Sequence, residues 1–190
     1  ITIRSPCRAA LLVELRRLPG VRGAACSGQS LLDAQMFENM ALKDGSDLAI
    51  DIVPVEPGLL ELYGIEPMAG SFALNGRPAG AQGELGAPLP ARAPGAAVPR
   101  LIINQLAMRR AGFTSAAAAI GQPFQAPKFG PGPAATGVII GVAPDFSLDI
   151  MGERLKPTLY VASPPLDSLI SVRLDPRPQA QTRWEVVSQP

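Results

Sequence analysis

Histidine is absent from this sequence of 190 residues. It is the commonest general base and metal ligand at neutral pH, so its absence excludes every Ser-His and Cys-His dyad. A hydrolase or a zinc enzyme built on this chain would therefore need rarer chemistry.

Other shortages exclude further classes of function. Aromatic residues make up 5% of the chain, and 17 basic residues nearly balance 16 acidic ones, so nucleic-acid binding is not expected. No glycine-rich phosphate loop of either common type is present, so no nucleotide cofactor is expected. No apolar run approaches the roughly 20 residues that span a bilayer.

The two ends of the sequence suggest a fragment. It starts at once in a strand-like alternation, Ile1-Thr2-Ile3-Arg4, without a signal peptide, and it stops in mid-pattern at residues 184–187. We therefore expect a piece of a longer chain, from which flanking membrane helices could have been removed.

Hydrophobic periodicity predicts a β-α-β start. Ser5-Pro6 is typical of a helix N-terminus, four leucines between residues 11 and 18 recur at helical spacing, and Pro19-Gly20 ends the pattern. Residues 28–46 are interpreted as a loop with a helical turn. The predicted strands are 21–26, 47–55, 101–103, 138–143, 158–162 and 170–174, and Asn104 and Ser115 are predicted to cap short helices.

The middle of the chain differs in composition. Residues 75–99 are mostly Ala, Gly and Pro without periodicity, which predicts a long mobile loop. Because helices and strands elsewhere mix without strict alternation, the predicted fold class is α+β.

Three acids, Asp145, Asp149 and Glu153, follow the predicted strand 138–143 at even spacing. A carboxylate cluster could bind a hard cation, but a proline and a glycine interrupt the window and no calcium-loop pattern appears. We interpret these acids as solvated loop charges, with Asp145 a turn or cap residue. No metal site is expected.

Two lysines and several apolar residues are further candidates for chemistry or binding. Lys128 and Lys156 each adjoin a proline in a polar stretch, which indicates exposed lysines rather than nucleophiles of lowered pKa. If the chain acts through an interface, exposed apolar residues are the expected contacts, with Phe37, Met40 and Leu85 as candidates.

The only two cysteines, Cys7 and Cys26, flank a predicted helix and strand. From residue 7 to 18 a helix rises about 17 Å. From residue 21 to 26 a strand returns about 17 Å. The two cysteines would then lie at the same level, where a disulfide can form in an oxidising compartment. Two small buried side chains that never meet are the other interpretation.

Three blocks in series resemble the MacB-like periplasmic core domain of FtsX-like ABC transporter permeases. They are DIVPVEPGLLELYGIEPMAGSF (51–72), RLIINQLAMRRAGFTSAAAAIGQPF (100–124) and GVIIGVAPDFSLDIMGERLKPTLYV (137–161), followed by LISVRL (169–174). The chain departs from the family pattern at Ser147, where members often carry histidine, and at Ser71, where arginine is usual.

The resemblance implies a two-lobed α+β domain in the periplasm, carried by a bacterial inner-membrane protein. A porter-like α/β sandwich lobe would comprise residues 1–72 and 146–190. A mixed, β-rich lobe of the kind called Sabre would comprise residues 73–145 and include the loop 75–99. Pro144, Asp145 and Phe146 would form the hinge between the lobes.

The resemblance also implies a role. ATP would be hydrolysed by a separate cytoplasmic ABC ATPase, reached through a transmembrane part, and this non-catalytic domain would move in response, in what is called mechanotransmission. A second permease copy or a periplasmic protein is a further partner that it suggests.

Two other functions stay open. An extracytoplasmic sensor of a ligand or peptide would need a concave apolar pocket. A stand-alone enzyme would need paired acids whose surroundings separate their pKa values.

The disulfide can be tested directly. If Cys7 and Cys26 are joined, the purified chain will gain the mass of a pair of hydrogen atoms on reduction, because forming the bond removes them. Intact-mass spectrometry before and after treatment with a reductant measures the change, and an unchanged mass would rule the bond out.

Overall fold

The structure, a computed structural model, describes residues 2–5, 8–27, 36–42, 44–74, 98–127, 135–146, 155–162 and 169–176. Its elements are β1 (Thr2–Arg4), α1 (Ala9–Arg17), β2 (Val21–Ser27), β3 (Met36–Ala41), β4 (Asp47–Val55), α2 (Leu59–Leu62), β5 (Ala69–Gly70), β6 (Arg100–Asn104), α3 (Gln105–Arg110), α4 (Ala116–Ala119), β7 (Pro123–Gln125), β8 (Thr136–Ala143), β9 (Thr158–Ala162) and β10 (Leu169–Leu174). None of the helices in these ranges has the length and apolar character of a membrane-crossing segment.

The described strands form one mixed sheet in the order β1-β10-β2-β4-β9-β6-β8-β5, with β3 added to β4 and β7 added to β8. The pairs β4–β9 and β6–β8 are parallel and the other pairs are antiparallel. Short helices pack on both faces, so the α+β prediction is confirmed.

The sheet runs across the predicted boundary between two lobes. Strands β6 and β8 belong to the predicted inserted lobe of residues 73–145, yet β6 pairs with β9 through Ile102 and Tyr160. The division into lobes stays a prediction, and its interface would lie within the sheet, between β6 and β9 and between β5 and β8. The predicted loop 75–99 lies outside the described residues up to residue 97.

At the β1–β10–β2 end, helices cover both faces of the sheet. Helix α1 buries Leu12 against one face. On the other face Tyr63, which follows α2, shares a hydrogen bond of 2.9 Å between its hydroxyl and that of Ser171, and Arg173 donates to the carbonyl of Leu62. The predicted alternation of β10 is thereby confirmed: Ile170 packs toward α1, whereas Ser171 and Arg173 point the other way.

The middle of the sheet is covered on both faces by apolar side chains. Helices α3 and α4 cover one face, where β4, β6, β8 and β9 contribute Ile50, Ile52, Leu101, Ile103, Ile139 and Leu159. Helix α2 and the segment 65–74 cover the other face. Full burial of each such aliphatic side chain stabilises the fold by roughly 1.5–3 kcal/mol, so these strands form the core.

Helix α1 starts later than predicted. Its first residue is Ala9, after Arg8 in an extended conformation, so the predicted start at Ser5-Pro6 is wrong. The predicted end is confirmed, because Leu18 is already extended and Gly20 follows at a positive φ. Since Leu18 lies beyond the helix, it is exposed and does not continue the buried stripe.

The interpretation of residues 28–46 as a loop with a helical turn is wrong for residues 36–41, which form β3; residues 28–35 are not among those described. A tight turn brings β3 back onto β4. In that turn the hydroxyl and amide of Ser46 donate to Asp44 at 2.6 and 3.0 Å, which lowers the pKa of the Asp44 carboxyl. The strand was missed because its polarity is inverted, with Phe37 outside and Glu38 inside.

Replacing Gly70 by alanine should destabilise the fold much more than the same change at Gly112. Both residues have positive φ, which costs alanine about 1 kcal/mol. At Gly70 a Cβ atom would also meet the backbone carbonyl of Ile140, whereas at Gly112 it would meet open space. Urea denaturation should give a loss of about 1 kcal/mol for Gly112→Ala and about 3 kcal/mol or more for Gly70→Ala. Equal losses would contradict this packing.

Candidate functional site

The most connected polar side chain in the described part of the chain is Asn104, at the end of β6. It is buried, and its Oδ1 accepts hydrogen bonds of 2.9 Å from the amides of both Ala107 and Thr158. Its Nδ2 donates to the carbonyl of Lys156 at 2.8 Å. One amide group therefore joins the end of β6, the first turn of α3 and the start of β9.

The predicted capping role of Asn104 is confirmed, as is that of Ser115, whose hydroxyl accepts from the amide of Ala118 at the start of α4. The two caps differ in setting. Ser115 is exposed and bonds only its own helix, whereas Asn104 is buried and also binds β9. A buried amide that loses its partners costs about 1–3 kcal/mol per group, so Asn104 has little freedom to move.

Asp145, two residues after β8, binds the same turn of α3. Its Oδ1 accepts from the amide of Leu106 at 2.6 Å, and its Oδ2 accepts from the guanidinium of Arg109 at 2.6 Å. A carboxylate is favoured at this position because the first amides of a helix carry partial positive charge. Asp145 is thus a cap residue, as its sequence context indicates, but it caps a helix more than thirty residues earlier in the chain. Its interpretation as a solvated loop charge is wrong, because its side chain is only 10% exposed.

The next residue fastens the turn to β9. The ring of Phe146 stacks on that of Tyr160, with centroids 6.1 Å apart and planes 11° from parallel. Burial, and secondarily the negative charge of Asp145, raises the pKa of the Tyr160 phenol, so its hydroxyl stays neutral well above neutral pH. Beside this stack, Lys156 pairs with Asp51 of β4 at 3.7 Å.

We call the set Asn104, Arg109, Asp145, Phe146 and Tyr160 the α3 junction. After β8 the described chain stops at residue 146, and it resumes at residue 155 before β9. Residues 147–154, called the connector below, are outside the described residues. Strands β8 and β9 lie on either side of β6 in the sheet. Before the connector, Asp145 accepts from the first turn of α3, and after it the carbonyl of Lys156 accepts from Asn104.

The residues predicted from the sequence have different outcomes. The candidate hinge residues Pro144, Asp145 and Phe146 lie together at the α3 junction, and their role as a hinge stays a prediction. Lys156 is largely exposed, as predicted. Among the candidate contacts, Phe37 is 74% exposed, whereas Met40 is fully buried and was wrongly chosen.

Several predicted residues are not among those described: Cys7, Leu85, Lys128, Asp149 and Glu153. The partner predicted for Cys7, Cys26, is fully buried in β2 on the face that α1 covers, and the bond between them stays a prediction. In the described ranges no three His, Cys, Asp or Glu side chains are arranged to hold a metal ion.

Sequence reasoning missed the links of Asn104 to β9 and of Asp145 to Arg109. The capping signal was visible because it is local. The other contacts join residues 36 to 54 positions apart, and nothing in the residue types marks such pairs.

No family model matches the chain, and no curated protein matches it. Solved structures do match. A domain assigned to a permease protein of Porphyromonas gingivalis has a TM-score of 0.56 at 17% identity, over 92% of this chain and 70% of that one. The periplasmic region of MacB from Actinobacillus actinomycetemcomitans has a TM-score of 0.51 at 9% identity, over 94% and 69% of the two chains.

A third match is the extracellular domain of YknZ, an ABC-type transporter from Gram-positive bacteria. Its TM-score is 0.50 at 14% identity, over 93% of this chain and 83% of that one. At such low identities the similarity shows a shared fold. The chain therefore has the fold of the MacB-like periplasmic domains, as its resemblance predicted.

Three substitutions should show how much Asn104 and Asp145 each contribute to stability, with Ser115 as a matched control. Asn104→Ala removes a cap and leaves the Thr158 amide and the Lys156 carbonyl without their partner, which should lower the free energy of unfolding by about 2–4 kcal/mol. Ser115→Ala, the matched cap without a link to β9, should cost only about 1 kcal/mol. Asp145→Asn keeps an acceptor for Leu106 and should cost about 1 kcal/mol. Chemical denaturation measures all three, and equal effects of the two cap variants would contradict the linking role of Asn104.

Proposed function

We propose that this chain is the extracytoplasmic domain of an ABC transporter permease and that it moves in response to ATP hydrolysis by a separate cytoplasmic ATPase. Support comes from the fold, since the three similar structures are extracytoplasmic domains of transporters or a domain of a permease. In this proposal the domain itself carries no catalytic group and transmits movement across the membrane protein.

The observation that carries this proposal is the position of the first and last described strands. β1 and β10 are antiparallel neighbours, with Thr2 opposite Ser171. The chain therefore enters β1 at the same end of the sheet where it leaves β10. A domain inserted between two membrane helices needs its entry and exit side by side in this way.

The contacts of the α3 junction suit a turn, residues 144–146, that is bound to α3 but can come away from it. Asn104 is buried and makes three hydrogen bonds, so its links are expensive to break. The pair of Asp145 with Arg109 is different, because the arginine side chain is 51% exposed although that of Asp145 is only 10% exposed. Water screens the arginine, so the pair is weaker than a fully buried one, and residues 144–146 are released from α3 more easily than the links of Asn104 are broken.

We place the hinge between the two predicted lobes at Pro144, Asp145 and Phe146. Motion that reaches β9 through the sheet from β1 and β10 would pull on the connector 147–154, whose two ends lie at the α3 junction. Opening of the Asp145–Arg109 pair would then let the segment 98–143 turn relative to β9.

The alternative function is an extracytoplasmic sensor domain for a ligand or peptide. An open groove beside β3, with a volume of about 350 Å³, lies within the size range of small-molecule sites and favours this alternative. A sensor of this kind would share the location but not the response to ATP.

Cysteine labelling in the full-length protein tests location and response together. Leu155→Cys places a thiol on a 46% exposed residue where the connector returns, and Ser46→Cys places one on the exposed β3–β4 turn. With the unmodified protein as background, a membrane-impermeant maleimide should label both variants in intact cells. Trapping the ATPase with a non-hydrolysable nucleotide should change the labelling rate at Leu155→Cys and leave that at Ser46→Cys unchanged.

Labelling only after the cells are permeabilised would contradict an extracytoplasmic location. Labelling in intact cells with no nucleotide response at either position would favour the sensor over the transmitting domain.

A further inference from the structure

Strand β3 leaves one edge of its backbone without a strand beside it in the described chain. The amide of Asp51 donates to the carbonyl of Pro157 at 2.8 Å. The peptide groups of Asp51 therefore point toward β9 and away from β3. Phe37 is paired with Asp51 and therefore directs its peptide groups away from β4, and alternation gives Asn39 and Ala41 the same direction. Within the described residues, no hydrogen bond uses the peptide groups of these three.

Two common protections of an edge strand are missing from β3 itself. Edge strands are commonly blocked by proline or by outward charge. The outer edge of β7 carries Pro123, which has no amide to offer, whereas β3 contains no proline and presents Phe37 with 74% of its surface exposed. Glu38, its one charge, is partly buried and already engaged.

An apolar groove adjoins the open edge. Its volume is about 350 Å³, and its walls come from β3 with Leu42, from β7, and from Phe113 after α3. A strand added to β3 would direct every second side chain toward this groove, because side chains alternate across a sheet. Backbone hydrogen bonds for affinity and a groove for alternate side chains are the two features of peptide binding by strand addition.

The opposite face of the same hairpin carries acidic side chains. On this face, which also carries Phe37, Asp47 is exposed, whereas Asp51 is 17% exposed and already pairs with Lys156 at 3.7 Å. Side chains of an added strand that lie on this face would meet negative charge, which favours lysine or arginine there.

We propose that β3 and the adjoining groove bind an extended segment of a partner protein in which apolar and basic residues alternate. The segment would pair with Phe37, Asn39 and Ala41, place its apolar side chains in the groove and direct its basic side chains toward Asp47. This proposal depends on the fold alone and stands whether or not the domain belongs to a transporter.

The probe is a capped synthetic peptide of alternating valine and lysine, about eight residues long, which is within the usual range of strand lengths. We expect saturable binding to the complete chain, measured by fluorescence anisotropy, with shifts of the backbone amides of residues 37–41 in NMR spectra. The same peptide methylated on the amide nitrogens that face β3 should bind about tenfold more weakly or worse, because its hydrogen bonds are lost. A peptide of alternating valine and glutamate should also bind more weakly.

Two variants locate the binding surface. Asn39→Pro removes an outward amide without breaking a bond to β4, and it should weaken peptide binding about tenfold or more. Asp47→Lys should weaken the lysine peptide and strengthen the glutamate peptide, whereas Glu14→Lys on α1 should change neither. Circular dichroism checks that each variant folds, and if Asn39→Pro does not, the methylated peptide still tests the hydrogen bonds.

Two outcomes would overturn the proposal. One is no saturable binding up to about 1 mM peptide, the weakest affinity that would matter here. The other is concentration-dependent dimerisation in analytical ultracentrifugation that Asn39→Pro abolishes, since the occupant of the edge would then be a second copy of this chain.

Discussion

The arrangement of the sheet's centre depends on one buried amide, the side chain of Asn104. A buried amide must find partners for both its donor and its acceptor, and Asn104 finds them on α3 and on residues 156–158. These bonds set the start of α3 relative to the start of β9. Because β6 also pairs with β8 and β9, these three central strands and α3 have fixed positions relative to one another.

Around this fixed point the remaining contacts are graded in strength. Phe146 stacks on the buried Tyr160, and Asp145 combines a bond to the Leu106 amide with an ion pair to the half-exposed Arg109. Water screens the ion pair, so it contributes less than its short distance suggests. The α3 junction thus combines strong hydrogen bonds, made by the buried Asn104, with weaker contacts made by residues 144–146 after β8.

Local features were predictable where the physical cause is local. Asn104 and Ser115 cap their helices because short polar side chains satisfy the first amides of the next turn, which is a property of adjacent residues. Strand β3 could not be predicted in this way, since Phe37 is exposed and Met40 buried only because β4 and the face of the sheet decide which side is inside. The same reason explains why Met40 was mistaken for a surface contact.

By itself the sequence determined the α+β class, most strands and the helix caps at Asn104 and Ser115, because these follow from short-range periodicity and hydrogen bonding. It also determined the resemblance that led to the fold. Only the tertiary structure decided that Asp145 meets Arg109, that Asn104 binds β9 and that the edge of β3 adjoins a groove. The physical reason is that these contacts join residues far apart in the chain, and the pairing of strands, not the pattern within any one of them, brings such residues together.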